Sequence, residues 1–295
     1  MFVRPMLIAS AAMILTAAAA SAGPIVYAVS TNYNSFTGEF GTVDLTSGAF
    51  TQIGPSTSDP LTGLVPGPSG TLLGISASGN LDSVNPATGM ISVIGATGIG
   101  AAGPGDAADD LAELSGTLYA TDLYGNLYTL NTTTGAATLI GYTGIPICPS
   151  LTNPEEVSDE SLFTANGKLY ATFDGVNLVT SALVDSPELY QINPATGVAT
   201  AVGPTALGLD AVVQTNGTVY GLAFGFAASN TVLSLNLTNG NTTFLNDYAS
   251  SPVAGGVNSY DIEGASPVPE PASFALIFGG LLVLLASRKM VRQQR

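Results

Sequence analysis

A chain of 295 residues with a formal charge of −15, no histidine, no tryptophan and one cysteine is barred from several chemistries before any motif is sought. Without histidine there is no His-containing catalytic triad, no Cys–His nucleophile and no His-ligated zinc or copper site in this chain. Cys148 alone forms no intramolecular disulfide, and so acidic a chain repels phosphate backbones, which removes nucleic acid as a partner.

The N-terminus reads as an export signal. Arg4 supplies a positive start, Met6 to Ala20 an apolar stretch, and Ala20-Ser21-Ala22 a small-x-small cleavage site, so residues 1–22 are expected to be a signal peptide and the mature chain to begin near Gly23.

From Pro24 onward the sequence repeats. Tyr27, Leu73, Tyr119, Tyr170 and Tyr220 occupy one repeat position, at separations of 46, 46, 51 and 50 residues. Four of them sit in a Gly-x-Leu-Tyr-like strand opened by Gly70, Gly116, Gly167 or Gly217. A second alternating segment follows each and closes in a Gly turn at Gly48, Gly89, Gly135, Gly197 or Gly240. Alternation of period two marks half-buried strands, and the Asn-x-x-Thr-Gly cluster is a hairpin turn. A third strand ends at Ile53-Gly54, Ile94-Gly95, Ile140-Gly141 and Val202-Gly203, with Leu245-Asn246 in the fifth unit.

A fourth short segment precedes each unit at Asp59, Asp110, Glu160 and Asp210. The first unit lacks it, and the missing copy stands at the far end as Tyr260-Asp261-Ile262-Glu263. Periods of this length indicate propellers or solenoids. The phase shift predicts an all-β domain over residues 23–264, a single five-bladed propeller of four-stranded blades, with the strand around Ile262 completing the blade begun at Ile25. An open solenoid or sandwich is the competing arrangement. Insertions in the fourth unit, around Val176 to Pro187, and the loops near Gly95–Gly105 and Gly144–Pro154 are the expected functional decorations.

Past the domain come a Pro-rich segment (265–271), an uncharged apolar run (272–287) and a basic end (288–295) carrying Arg288, Lys289, Arg292 and Arg295. A bilayer core needs about 20 apolar residues, with about 17 as the lower limit, so the run is a marginal transmembrane helix. The cations after it are expected to hold the C-terminus in the cytoplasm. Because five of the six basic residues lie in the two ends, Lys168 is the only cation between Gly23 and Ser266.

Val268-Pro269-Glu270-Pro271, the apolar run with Gly279-Gly280, and the basic end resemble, in that order, the PEP-CTERM sorting signal of exosortase-processed bacterial proteins. The resemblance implies export through the Sec machinery, recognition by a membrane-embedded exosortase, cleavage near the Pro-Glu-Pro and delivery to the surface of a Gram-negative cell, often one making exopolysaccharide. The repeats resemble those of WD40, kelch and quinoprotein propellers, chiefly through the Leu-Tyr-x-Ile-Asn-x-x-Thr-Gly turn. No repeat carries a Trp-Asp pair or ends in Trp, so the resemblance implies the propeller and no quinone cofactor.

Two acidic clusters precede or enter the first strand of a blade: Asp106, Asp109, Asp110 and Glu113, and then Glu155, Glu156, Asp159 and Glu160. Hard oxygens gathered on one face suit Ca²⁺, with Asp106, Asp109, Asp110, Glu155, Glu156 and Asp159 as candidate ligands, although no EF-hand loop is present. No other cofactor is expected. Five-bladed propellers also host glycosidases that use carboxylates from different blades; the pool here is Asp59, Asp110, Asp159, Asp210 and Asp261. Recurrence at one repeat position favours a structural role, so no catalytic residue is assigned. The expectation is a non-catalytic surface or matrix module that binds extracellular polysaccharide or a surface protein, with a glycoside hydrolase as the alternative.

Overall fold

A computed structural model describes residues 23–32, 35–99, 108–122, 124–145, 156–177, 182–223, 231–247 and 260–268. The signal segment, Pro269 to Pro271, the apolar run, the basic end and Cys148 lie outside the described residues. Among those described, no helix is long and apolar enough to cross a membrane.

The described strands form five four-stranded antiparallel sheets. The second blade comprises β4 (Leu61–Pro66), β5 (Leu72–Ser76), β6 (Asn80–Val84) and β7 (Ile91–Ala96). The third holds β8 (Ala108–Leu114), β9 (Thr117–Asp122), β10 (Asn126–Leu130) and β11 (Ala137–Tyr142). The fourth holds β12 (Glu156–Ala165), β13 (Lys168–Asn177), β14 (Ala182–Ile192) and β15 (Ala199–Pro204). The fifth holds β16 (Ala211–Thr215), β17 (Thr218–Ala223), β18 (Thr231–Leu235) and β19 (Thr242–Asp247). The first blade mixes the two ends of the domain, in the order β20 (Tyr260–Pro267), β1 (Ile25–Asn32), β2 (Thr37–Asp44) and β3 (Phe50–Gln52). The expected closure is therefore present. It extends further than the sequence suggested, because Val26 pairs with Pro267 and Tyr27 with Ser266. Residues 265–267, read above as linker, belong to the first blade.

Local chemistry explains each repeat signature. The innermost hairpins turn through Ser115-Gly116, Asn166-Gly167 and Asn216-Gly217, all at positive φ. That is the two-residue type I′ turn that matches strand twist, which is why Gly opens the Gly-x-Leu-Tyr motif. The second recurring turn is held by its Asn or Asp: Asn131 Oδ1 accepts from Thr133 N at 2.9 Å and Thr134 N at 3.1 Å. Asn85, Asn193, Asn236 and Asp44 make the same kind of side-chain turn.

The Ile-Gly pair ending the third strand is a β-bulge. Leu81 opposes Gly95 while Asp82 opposes Val93, leaving Ile94 as the extra residue. Ile140, Val202 and Leu245 are extra in the same way on β11, β15 and β19. The bulge turns Ile94 into the wedge of core between the second and third blades. It also lays Gly95 against the next blade's turn, where an added Cβ would overlap the Thr134 carbonyl oxygen. Gly54, Gly141 and Gly203 abut the turns at Thr88, Thr196 and Asn239 likewise. At the seam between the fifth and first blades Asn246 replaces the glycine, and its side-chain amide donates to Thr46 O at 2.7 Å. The core is accordingly five apolar wedges, one between each pair of neighbouring blades. The insertion foreseen near Val176–Pro187 lengthens a hairpin, since β13 and β14 pair as far as Asn177 and Ala182.

Candidate functional site: the central channel

β20, β4, β8, β12 and β16 are the innermost strands, and together they line a central cavity of about 260 Å³. One residue from each forms an apolar collar: Leu64, Leu111, Leu162, Val212 and Ala265, all at the same register level. Alternation along an innermost strand sends every second side chain to the same side, so one apolar position per repeat suffices to build the collar. Among the described residues the polar lining is Asp110, Glu113, Thr164 and Gln214. Glu113 accepts from Gly116 N across its own turn. Gln214 bridges blades, accepting from Asn166 N at 3.0 Å and donating to Asn166 Oδ1 at 2.9 Å.

Asp110 is 4% exposed and its carboxylate faces backbone. Oδ1 accepts from Leu111 N at 2.6 Å; Oδ2 accepts from Leu162 N at 2.8 Å and from Ser161 Oγ at 3.1 Å. An innermost strand has a bare edge whose N–H groups need acceptors, and this carboxylate satisfies one on the neighbouring blade. At the same level the other strands carry Gly63, Ser161, Ala211 and Gly264. Gly63 has no room for a side chain there, because a Cβ would overlap Asp110 Oδ1.

The sequence alignment placed Asp59, Asp110, Asp210 and Asp261 at related positions; the strand register separates them. Asp59 precedes β4 and accepts from Ser78, with N at 3.0 Å and Oγ at 2.6 Å. Asp261 pairs with Thr31, beyond a bulge in β20. One step before the Asp110 level stand Thr62, Asp109, Glu160 and Glu263 within innermost strands and Asp210 just ahead of β16, four of the five acidic. Bulges at Thr62 and Glu263 displace Asp59 and Asp261, while Asp110 and Asp210 differ by plain count, one residue before Leu111 and two before Val212.

Of the Ca²⁺ candidates, Asp109, Asp110, Glu156 and Asp159 therefore lie within innermost strands. The side chains of Asp109, Glu156 and Asp159 lie outside the described residues, as do Asp106 and Glu155 altogether. Among the described residues no three Cys, Asp or Glu converge as a metal site would require.

Two further acids are structural. Asp122 is 3% exposed and accepts from Tyr124 N, Asn126 N, Asn126 Nδ2 and the Tyr128 hydroxyl. Asp82 is buried in the second blade; burial pushes its carboxyl above the ordinary 3.8, a hydrogen bond from Ser76 pulls it back, and the nearby Asp59 charge pushes it up again. Sequence reasoning missed Asp82, and it missed the collar, because both are defined by neighbouring strands.

No family model matches the chain, and no curated protein matches it in sequence. Solved structures that it resembles include TolB from Acinetobacter baumannii, at 15% identity and a TM-score of 0.42, covering 76% of this chain and 53% of that one. A PQQ-bound aldose sugar dehydrogenase from Streptomyces coelicolor matches at 15% identity and a TM-score of 0.37, over 70% of this chain and 66% of that one. Glutaminyl cyclase from Myxococcus xanthus matches at 16% identity and a TM-score of 0.34, over 70% of each chain. The chain thus spans about half the length of the TolB structure. Likeness at this level carries no statement about activity; the five-bladed ring rests on the chain's own strand pairing.

Proposed function

We propose that this protein is an exported, surface-sorted propeller that works as a non-catalytic binding or structural module, associated with extracellular polysaccharide or with a surface protein. The observation that carries the non-catalytic reading is Asp110. Among the described residues it is the buried carboxylate of the channel lining, and it accepts three hydrogen bonds from the frame of the ring. A general acid or base needs a proton to exchange with substrate, and a carboxylate held by two backbone amides and a serine is a brace.

Destination rests on the two ends of the chain: the signal-like start with Ala20 and Ala22, the Val268-Pro269-Glu270-Pro271 motif and the four terminal cations. Ca²⁺, carried by the acids at the entry to β8 and β12, is the one ion proposed for the channel mouth. Retention of the purified full chain on the host's own exopolysaccharide, with Ca²⁺ and with chelator, tests the binding reading. No retention in either condition counts against it. The glycoside hydrolase alternative rests on the acids of the innermost strands. It requires sugar release from the same material, lost on single replacement of Asp110 or Asp210. Export is tested separately, by fractionating cells that carry Glu270→Ala, which is expected to leave the protein in the membrane.

A further inference from the structure

Ser30 and Glu39 stand directly opposite each other on β1 and β2. They share the side of the sheet that carries Val26, Ala28 and Val43, the side packed against the fifth blade. Ser30 is 2% exposed and Glu39 5%. Neither Ser30 Oγ nor Glu39 Oε2 has a hydrogen-bond partner among the described residues.

Buried carboxylates are ordinarily matched by a cation or by a set of N–H and O–H donors. Asp110 and Asp122 show the second arrangement in this chain. Glu39 has neither. Lys168 is the only cation between Gly23 and Ser266; it opens β13 in the fourth blade and its Nζ donates to Gln191 Oε1 at 3.0 Å. Any cation that reaches Glu39 has therefore to come from solution.

We propose that Glu39 and Ser30 are the protein half of a site for a divalent cation of the calcium class, set at the seam between the first and fifth blades. A carboxylate and a hydroxyl are hard oxygen donors, and Ca²⁺ completes its shell with water and backbone carbonyls in flexible geometry. A trapped water would supply hydrogen bonds to the same two oxygens and is the outcome that the test below separates from a cation. The anionic body raises the local concentration of cations. The site is distinct from the acids of β8 and β12, which belong to the third and fourth blades. The same seam is irregular at its other end, where Thr46 follows β2. Leu245 is 45% exposed there, whereas its counterparts Ile53, Ile94, Ile140 and Val202 pack into their wedges, and the Gly contact is replaced by Asn246 on Thr46. A cation at Glu39 would add a fastening to that seam at the start of β2.

The test is calorimetric titration and thermal unfolding of the purified full chain, stripped with chelator and then given CaCl₂ alone. A saturable event that depends on Glu39 is expected, raising the unfolding midpoint, separate from any event at the acids of β8 and β12. Glu39→Gln, nearly the same shape without the charge, should weaken that event at least about tenfold, and Ser30→Ala should weaken it less. In chelator Glu39→Gln should be at least as stable as the wild type, and the wild type should overtake it only when Ca²⁺ is added. No saturable response in the wild type, as an internal water would give, overturns the proposal. An unchanged response in Glu39→Gln does the same and moves the ion to other acids. Should Glu39→Gln fail to fold, Glu39→Asp and Ser30→Ala decide; unchanged affinity in both overturns it.

Discussion

Asp110 and Asp82 are both buried acids, and they respond oppositely to being removed. Asp110 satisfies two backbone amides and a serine hydroxyl, so Asp110→Ala leaves buried donors unmatched and is expected to cost about 3 kcal/mol in a urea titration. Asp110→Asn keeps one acceptor oxygen and should lose less. Asp82 is penalised for being charged. Its folded-state pKa lies above 3.8, so the folded chain keeps this proton to higher pH than the unfolded chain does. The stability tied to that proton is fully present below 3.8 and is lost as pH rises through the folded value. Asp82→Asn is therefore expected to be more stable than the wild type near neutrality, with the gap closing as pH falls toward 3.8. Paired urea midpoints across that range check the sign; a gap that widens on acidification would refute it.

Strands and turns were readable in the sequence to the extent that their causes are local. The Ser-Gly and Asn-Gly turns announce themselves through residues that tolerate positive φ, and the Asn-x-x-Thr-Gly turns through an acceptor two residues before the amide that it binds. The Ile-Gly strand endings were equally visible, yet their meaning was not. Gly95 is required by the Thr134 carbonyl, which belongs to the next repeat, and Ile94 is required by a wedge built from two blades. The same limit hid the channel. Asp110 stands one residue before Leu111 and Asp210 two before Val212, and only the pairing of the inner strands makes Leu111 and Val212 the level to count from. Gly95→Ala is expected to force two backbones apart and to cost about 1–3 kcal/mol, read as a lowered thermal midpoint. Asn246→Ala, which removes only the bond to Thr46, should cost about 1 kcal/mol.

The ring as a whole depends on β20, which pairs with β1 and flanks the channel between β16 and β4. A chain ending at residue 259 lacks that strand and leaves the β1 edge bare. Loss of cooperative unfolding and self-association on size-exclusion chromatography are the expected outcomes. A chain ending at residue 268 keeps every pair of the first blade and should unfold like the parent. The same feature sets a timetable for folding. The strand that closes the circle is the last part of the propeller to be synthesised, and its partner is the first. Four blades can stack as they emerge, but the channel, its collar and the joint beside Glu39 exist only once the final strand has arrived. Completion is thereby checked by topology: a chain interrupted anywhere before Tyr260 has blades and no ring.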